Sequence, residues 1–124
     1  MFWFRRDLRL DDNVGLYHAI KNEKKLLPIF IFDSDILNRL PKEDARVCFL
    51  HQQIEKLNQQ LSESNKKIHV YHGKPINIFQ KILSSNAVHA VYTNRDYEPY
   101  ATQRDAEIKA LLSENDVTFS AYKD

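Results

Sequence analysis

The sequence predicts an α/β domain on a doubly wound, five-stranded parallel sheet of order 3-2-1-4-5, three-layered and Rossmann-like. Three observations predict it. Short runs rich in β-branched and aromatic residues alternate with longer runs of helical period. One short run, Leu26, Leu27, Ile29, Phe30, Ile31 and Phe32, is apolar on both faces, as a central parallel strand must be. Right-handed crossovers leave few topologies for such alternation, and the common five-stranded one sets the first and fourth strands side by side at a reversal point.

The strands read as residues 2–5, 26–33, 67–72, 88–94 and 117–122. The first helix is expected over 13–22, with Asp11 or Asp12 as its cap and acidic charge at the positive end of its dipole. The segment 34–42, containing Pro41, is the longest connection and carries a short helical turn. The long helix is expected over 42–64, where Val47, Leu50, Ile54, Leu57 and Leu61 form one buried stripe. A third helix follows Pro75 and buries Ile78, Phe79, Ile82 and Leu83. The fourth begins at Pro99, a favoured first-turn residue, and buries Ile108, Leu111 and Leu112.

Composition narrows the function. The 124 residues suit one domain, here 1–124, with 43% hydrophobic and 28% charged residues. A net charge of +1 gives no global attraction to nucleic acid or anionic lipid. The longest apolar stretch, 26–32, holds Pro28 and falls far below the ~20 residues that span a bilayer. Arg5, Arg6, Asp7 and Arg9 interrupt any signal-peptide core. A single cysteine, Cys48, allows no internal disulfide, and these facts together favour a reducing cytoplasmic or nuclear setting. Gly15 and Gly73 are the only glycines and build no phosphate-cradling loop.

Catalytic patterns are absent as well. The five histidines show no metal-ligand spacing, and His69 and His72 before Gly73 suit a turn better than a metal. Cys48 lies beside the apolar stripe of the long helix and is expected to be a small packed residue. No serine elbow is present. The chain shows no catalytic constellation of its own.

The reversal point is the expected site, because open α/β sheets bind ligands at the carboxyl ends of their strands. Strand one ends in Arg5-Arg6-Asp7 and strand four in Thr93-Asn94-Arg95-Asp96-Tyr97-Glu98-Pro99-Tyr100. Both tips should converge on one crevice that also receives Asp33. Such a lining suits a flat, partly polar organic ligand. The bland alternative is that these charges pair with one another and cap helices, with Asp7 serving a neighbouring arginine.

Three motifs carry a family resemblance. Phe2-Trp3-Phe4-Arg5-Arg6-Asp7-Leu8-Arg9-Leu10, followed by Asp12-Asn13, resembles the opening signature of the DNA photolyase/cryptochrome family. Asp44-Ala45-Arg46-Val47, then Phe49-Leu50, resembles the start of that family's long helix. Asn94-Arg95-Asp96-Tyr97-Glu98-Pro99-Tyr100, then Arg104-Asp105, resembles its segment after the fourth strand.

The resemblance implies an isolated amino-terminal antenna domain, non-catalytic in itself. The parent would be a deoxyribodipyrimidine photo-lyase or cryptochrome. A photo-lyase parent would use blue light and FAD to repair pyrimidine dimers. FAD and the DNA-binding groove would belong to a helical domain beyond Asp124, so DNA would be met only through the parent. Trp3 is expected in the core. Folate-binding members carry an Asn-Glu pair where this chain has Tyr100-Ala101, so an 8-hydroxydeazaflavin or FMN is favoured over methenyltetrahydrofolate. By this resemblance Arg46 would meet the ligand's polar tail and Asp96 its ring edge. Phe4, Arg5, Asp7, Phe32 and Leu50 would form walls and floor, with Asp33, Asn94, Glu98 and Tyr100 completing the lining.

Two other functions compete. The domain could be a docking module of the same family with no chromophore. It could also be a stand-alone nucleotide-binding protein similar to universal stress proteins, although those use a glycine-rich loop after strand four that is missing here. Loss of a covering domain would leave apolar surface, so self-association is expected.

Overall fold

The computed structural model describes residues 1–40 and 44–123. The elements, in chain order, are β1 (Phe2–Phe4), α1 (Val14–Asn22), β2 (Pro28–Asp33), α2 (Ser34–Leu37), α3 (Ala45–Ser62), β3 (His69–Gly73), α4 (Pro75–Ser85), β4 (Ala90–Asn94), α5 (Pro99–Glu114) and β5 (Thr118–Tyr122). The sheet order is β3-β2-β1-β4-β5, and every pairing is parallel. The predicted topology is therefore the observed one.

Period-two alternation sorts the central strands onto two cores. Phe2, Phe4, Phe30 and Phe32 face one layer, against Leu16 and Ala19 of α1 and Ile54 and Leu57 of α3. Trp3, Ile29, Ile31 and Val91 face the other, against Phe79 and Ile82 of α4 and Ile108 and Leu112 of α5. Burying each large side chain stabilises the fold by roughly 1.5–3 kcal/mol, which is why a three-residue β1 can hold the centre. Phe2, Trp3 and Phe4 are all at most 1% exposed.

Local expectations fare unevenly. The α1 cap is Asn13, whose side chain accepts the Leu16 N–H, and not Asp11 or Asp12. Asp12 instead turns the chain with φ 53°, and no acidic residue lies in the first helical turn. The short helical turn after β2 is α2. On α3 only Ile54 and Leu57 are buried; Val47, Leu50 and Leu61 are half-buried at the margin of the core. The expected helix start at Lys42, and Pro41, fall outside the described residues. Cys48 is exposed, not packed, because it sits one step off the Val47–Leu50–Ile54 face. Gly73 ends β3 with φ 143°, a conformation that favours glycine, and the chain then turns into α4. No helix among the described residues is long and apolar enough to cross a membrane.

Candidate functional site

The carboxyl edge of the sheet gathers a continuous polar network. β1 is so short that Arg5 already lies past its end, yet the side chain is 8% exposed. Its guanidinium grips both carboxylate oxygens of Asp105 on α5, at 2.5 and 2.6 Å. Its other nitrogen donates to the carbonyl of Asn94. Both contacts to Asp105 come from Nη1 and are short, as charge-assisted hydrogen bonds are.

Asn94, at the tip of β4, spends its whole amide on neighbours. Its Oδ1 accepts the Gly15 N–H at 2.7 Å. Its Nδ2 donates to Asp7 and to Asn13 Oδ1. Asp7 also accepts the Arg5 N–H at 2.8 Å. The hollow expected between the ends of β1 and β4 is thus closed by side chains bonded to each other. The crevice is corrected to a plugged junction: two buried amides next to a carboxylate satisfy one another more cheaply than they would stay open to water.

A second knot holds the end of β2. Tyr100 donates its hydroxyl to Asp33 Oδ2 at 2.7 Å. Burial pushes the Tyr100 phenol well above the ordinary tyrosine range, and the Asp33 carboxylate raises it further. Arg104, one turn along α5, reaches Asp33 at 3.5 Å and Asp105 at 3.3 Å. Arg5 and Arg104 both lie against the Trp3 indole, 4.9 and 5.0 Å from its ring. Asp105 therefore joins the two knots through two arginines that share one aromatic platform.

The remaining expected residues are spread between the core and the surface, and Phe4, Phe32, Leu50 and Arg46 line neither of the two clefts described below. Phe4, Phe32 and the half-buried Leu50 share one apolar cluster. Phe32 also stacks on His51 at 4.5 Å and on His72 at 4.8 Å. Asp96 and Glu98 flank the exposed Arg6, at 3.8 and 3.4 Å. Arg46 projects into solvent and pairs with Asp44 at 2.7 Å. The Arg46 hydrogen bond is the main reason the Asp44 carboxyl is held down to about 2.

The sequence reading quoted Asn13, Arg104 and Asp105 in family motifs but placed none of them in the site, nor Gly15, His51 or His72. A signal for Arg104 existed: Tyr100 and Arg104 stand at i and i+4, one face of one helix. Open space lies on either side of the plugged junction. One cleft of ≈ 610 Å³ includes Asp96, Tyr97, Lys109 and Tyr122, beside β4 and β5. Another of ≈ 610 Å³ includes Arg39, Lys74, Tyr100 and Arg104, between α2, α4 and α5. Among the described residues no cluster of His, Cys, Asp or Glu could hold a metal.

Comparison with known proteins bears on what this edge serves. The family model described as DNA photolyase matches residues 1–124. A deoxyribodipyrimidine photo-lyase from Synechococcus is 34% identical over 112 residues, which are 90% of this chain and 23% of that protein. Cryptochrome-1 of Drosophila melanogaster is 29% identical over 125 residues, 96% of this chain and 23% of that protein. The chain thus spans about a quarter of the length of these relatives. A Sulfolobus tokodaii photolyase superposes with a TM-score of 0.86 at 31% identity, covering 99% of this chain and 28% of its own. That structure is described as holding two FAD molecules, with the implication of a novel light-harvesting cofactor.

Proposed function

Because the chain belongs to the DNA photolyase family, in the amino-terminal α/β part, we propose that it is a light-harvesting domain that binds an antenna chromophore. The observation that carries this reading is the whole-chain superposition on a photolyase whose described structure implicates a light-harvesting cofactor. The chromophore would absorb a photon and pass its energy on without bond chemistry. The chain's own residues need only bind, orient and shield it.

The residues present suit a deazaflavin or flavin better than a folate. Phe4 and Phe32, in the core, and the half-buried Leu50 share one apolar cluster that would serve as floor, with Phe32 stacked on the rings of His51 and His72. Asp96, Glu98 and Arg6 offer an acidic and cationic rim for ring-edge groups. Arg46, exposed at the start of α3 and bonded to Asp44, would exchange that partner for a polar tail. Tyr100-Ala101 lacks the side-chain amide and carboxylate of a folate site. In this reading the parent chain adds an FAD-binding domain, acts on light-damaged DNA and works in the cytoplasm. The exposed Phe49 and Tyr97 are surface that such a domain, or a second copy, would cover.

Absorbance and fluorescence titration of the 124-residue chain with FMN, an 8-hydroxydeazaflavin and methenyltetrahydrofolate tests the proposal. Saturable binding of one of the first two, weakened roughly tenfold by Asp96→Ala, is expected. No binding of any of the three at high micromolar concentration would favour the second reading, a docking domain without chromophore. The plugged junction at Asn94 and Asp7 is the observation on that side.

A further inference from the structure

We infer that β5, an edge strand of the sheet, docks a second copy of this chain. The two β5 strands pair antiparallel about a two-fold axis at Ser120 and join both sheets into one. The inference rests on the backbone of β5 and is independent of the antenna reading.

The sheet has two edges, β3 and β5, and they differ. Lys66, Lys67 and Lys74 flank β3, and charge of this kind discourages a further strand. β5 reads Thr118-Phe119-Ser120-Ala121-Tyr122 and has neither charge nor proline to protect it. Its Thr118 N–H donates to the His89 carbonyl at 3.1 Å, and its Tyr122 carbonyl accepts the Arg95 N–H at 2.7 Å. Parallel pairing with β4 alternates along the strand, so the N–H and C=O groups of Phe119 and Ala121 turn to the open side. α5 is set back from this edge. The cleft of ≈ 610 Å³ runs between its Thr102 and Lys109 and the residues 119–122 of β5, which leaves room for the side chains of an added strand. On the other face of the sheet Tyr122 is held by stacking on His18 at 4.2 Å, beside Tyr17, which is 61% exposed.

The strand matches itself. About Ser120, Phe119 lies opposite Ala121 of the second copy, and Thr118 lies opposite Tyr122, an aromatic ring set against a β-branched side chain. No like charges meet within the strand. The flanks are complementary. Glu114 and Asp116 lie exposed before β5, and Arg95, Lys109 and Lys123 lie exposed beside and beyond it. Among the described residues no ion pair within the fold engages any of these five. An antiparallel partner brings the acidic end of one strand to the basic end of the other. The area is sufficient as well. The chain exposes 8065 Å², about 1,100 Å² more than a self-contained monomer of its mass. A standard interface takes ~800 Å² from each partner.

Sedimentation equilibrium and a register-specific cross-link, both on the 124-residue chain, test this. The unaltered chain should show a reversible monomer–dimer equilibrium below millimolar concentration. Ser120→Lys sets two like charges against each other at the axis and should weaken association roughly tenfold. Ala121→Pro removes an outward N–H, spares the pairing with β4 and should weaken association as much. Urea midpoints check that both variants fold. With Cys48→Ser removing the exposed native thiol, Ser120→Cys should cross-link into a dimer under mild oxidation. A non-hydrogen-bonded antiparallel pair holds its Cα atoms ~4.5 Å apart, within disulfide reach. Thr118→Cys in the same background, with Tyr122 opposite, should stay uncross-linked. A strict monomer at millimolar concentration, an undiminished dimer in both Ser120→Lys and Ala121→Pro, or equal cross-linking at 118 and 120 would each overturn the proposal. A strict monomer that still binds flavin would sink this inference and leave the antenna reading standing.

Discussion

Asn94 and Gly15 are joined across the reversal point of the sheet. The Gly15 N–H donates to Asn94 Oδ1 at 2.7 Å and clamps the first turn of α1 against the tip of β4. A Cβ on residue 15 would lie 2.6 Å from that oxygen and 3.0 Å from the Thr93 carbonyl oxygen. Only a residue without a side chain lets helix and strand approach this closely.

Gly15→Ala should accordingly destabilise the domain by about 1–3 kcal/mol, through overpacking against backbone. The helix-propensity gain of roughly 1 kcal/mol works in the opposite direction and loses, because the Thr93 carbonyl cannot swing away. Urea unfolding would show the lower midpoint. An unchanged or raised midpoint would mean that the contact is loose.

Asp105 neutralises Arg5, and both side chains are largely withdrawn from water, at 16% and 8% exposure. Asp105→Asn should cost about 3–5 kcal/mol, because it strands a buried guanidinium. Adding Arg5→Met to Asp105→Asn should recover part of that loss, the rest staying with Arg104, which also leans on Asp105 at 3.3 Å. A double-mutant cycle in chemical denaturation measures the difference.

Tyr100 predicts an alkaline effect. Burial, then Asp33, holds its phenol above the ordinary value of 10, so the folded state favours the neutral form. Stability from this group is complete below pH 10 and declines as pH rises toward the folded value. Tyr100→Phe should remove that decline and cost about 1.5 kcal/mol at neutral pH, for the lost bond to a carboxylate. Unfolding midpoints followed between neutral and strongly alkaline pH would reveal both effects.

Glu23 predicts the acidic counterpart at the opposite edge of the sheet. Burial pushes its carboxyl up, but hydrogen bonds from His89 and Tyr92, with the charges of His89 and the amino terminus, bring it below the ordinary 4.5. Stability from Glu23 is therefore present above pH 4.5 and fades as pH drops through the folded value. Glu23→Gln should flatten the acid limb of a stability–pH curve. An acid limb as steep as that of the parent would place the dependence elsewhere.

Sheet order and core were legible because they rest on period and chirality, which the chain displays directly. Phe2, Trp3 and Phe4 announce a strand buried on both faces, and they are so buried. The site was only partly legible. Arg5, Asp7 and Asn94 do meet, but whether such groups line a hollow or fill it depends on Asn13 and Gly15, whose approach is set by the packing of α1. Arg46 shows the same limit: its pairing with Asp44 is local, and no spacing rule says which way a long exposed side chain turns. Cys48 missed burial by a single 100° step around α3.

Trp3, the chain's sole indole, is bracketed by two guanidinium groups whose positions depend on α5 and on both central strand ends. The domain therefore carries a built-in optical gauge. Its ultraviolet emission reports the integrity of the carboxyl edge as a whole.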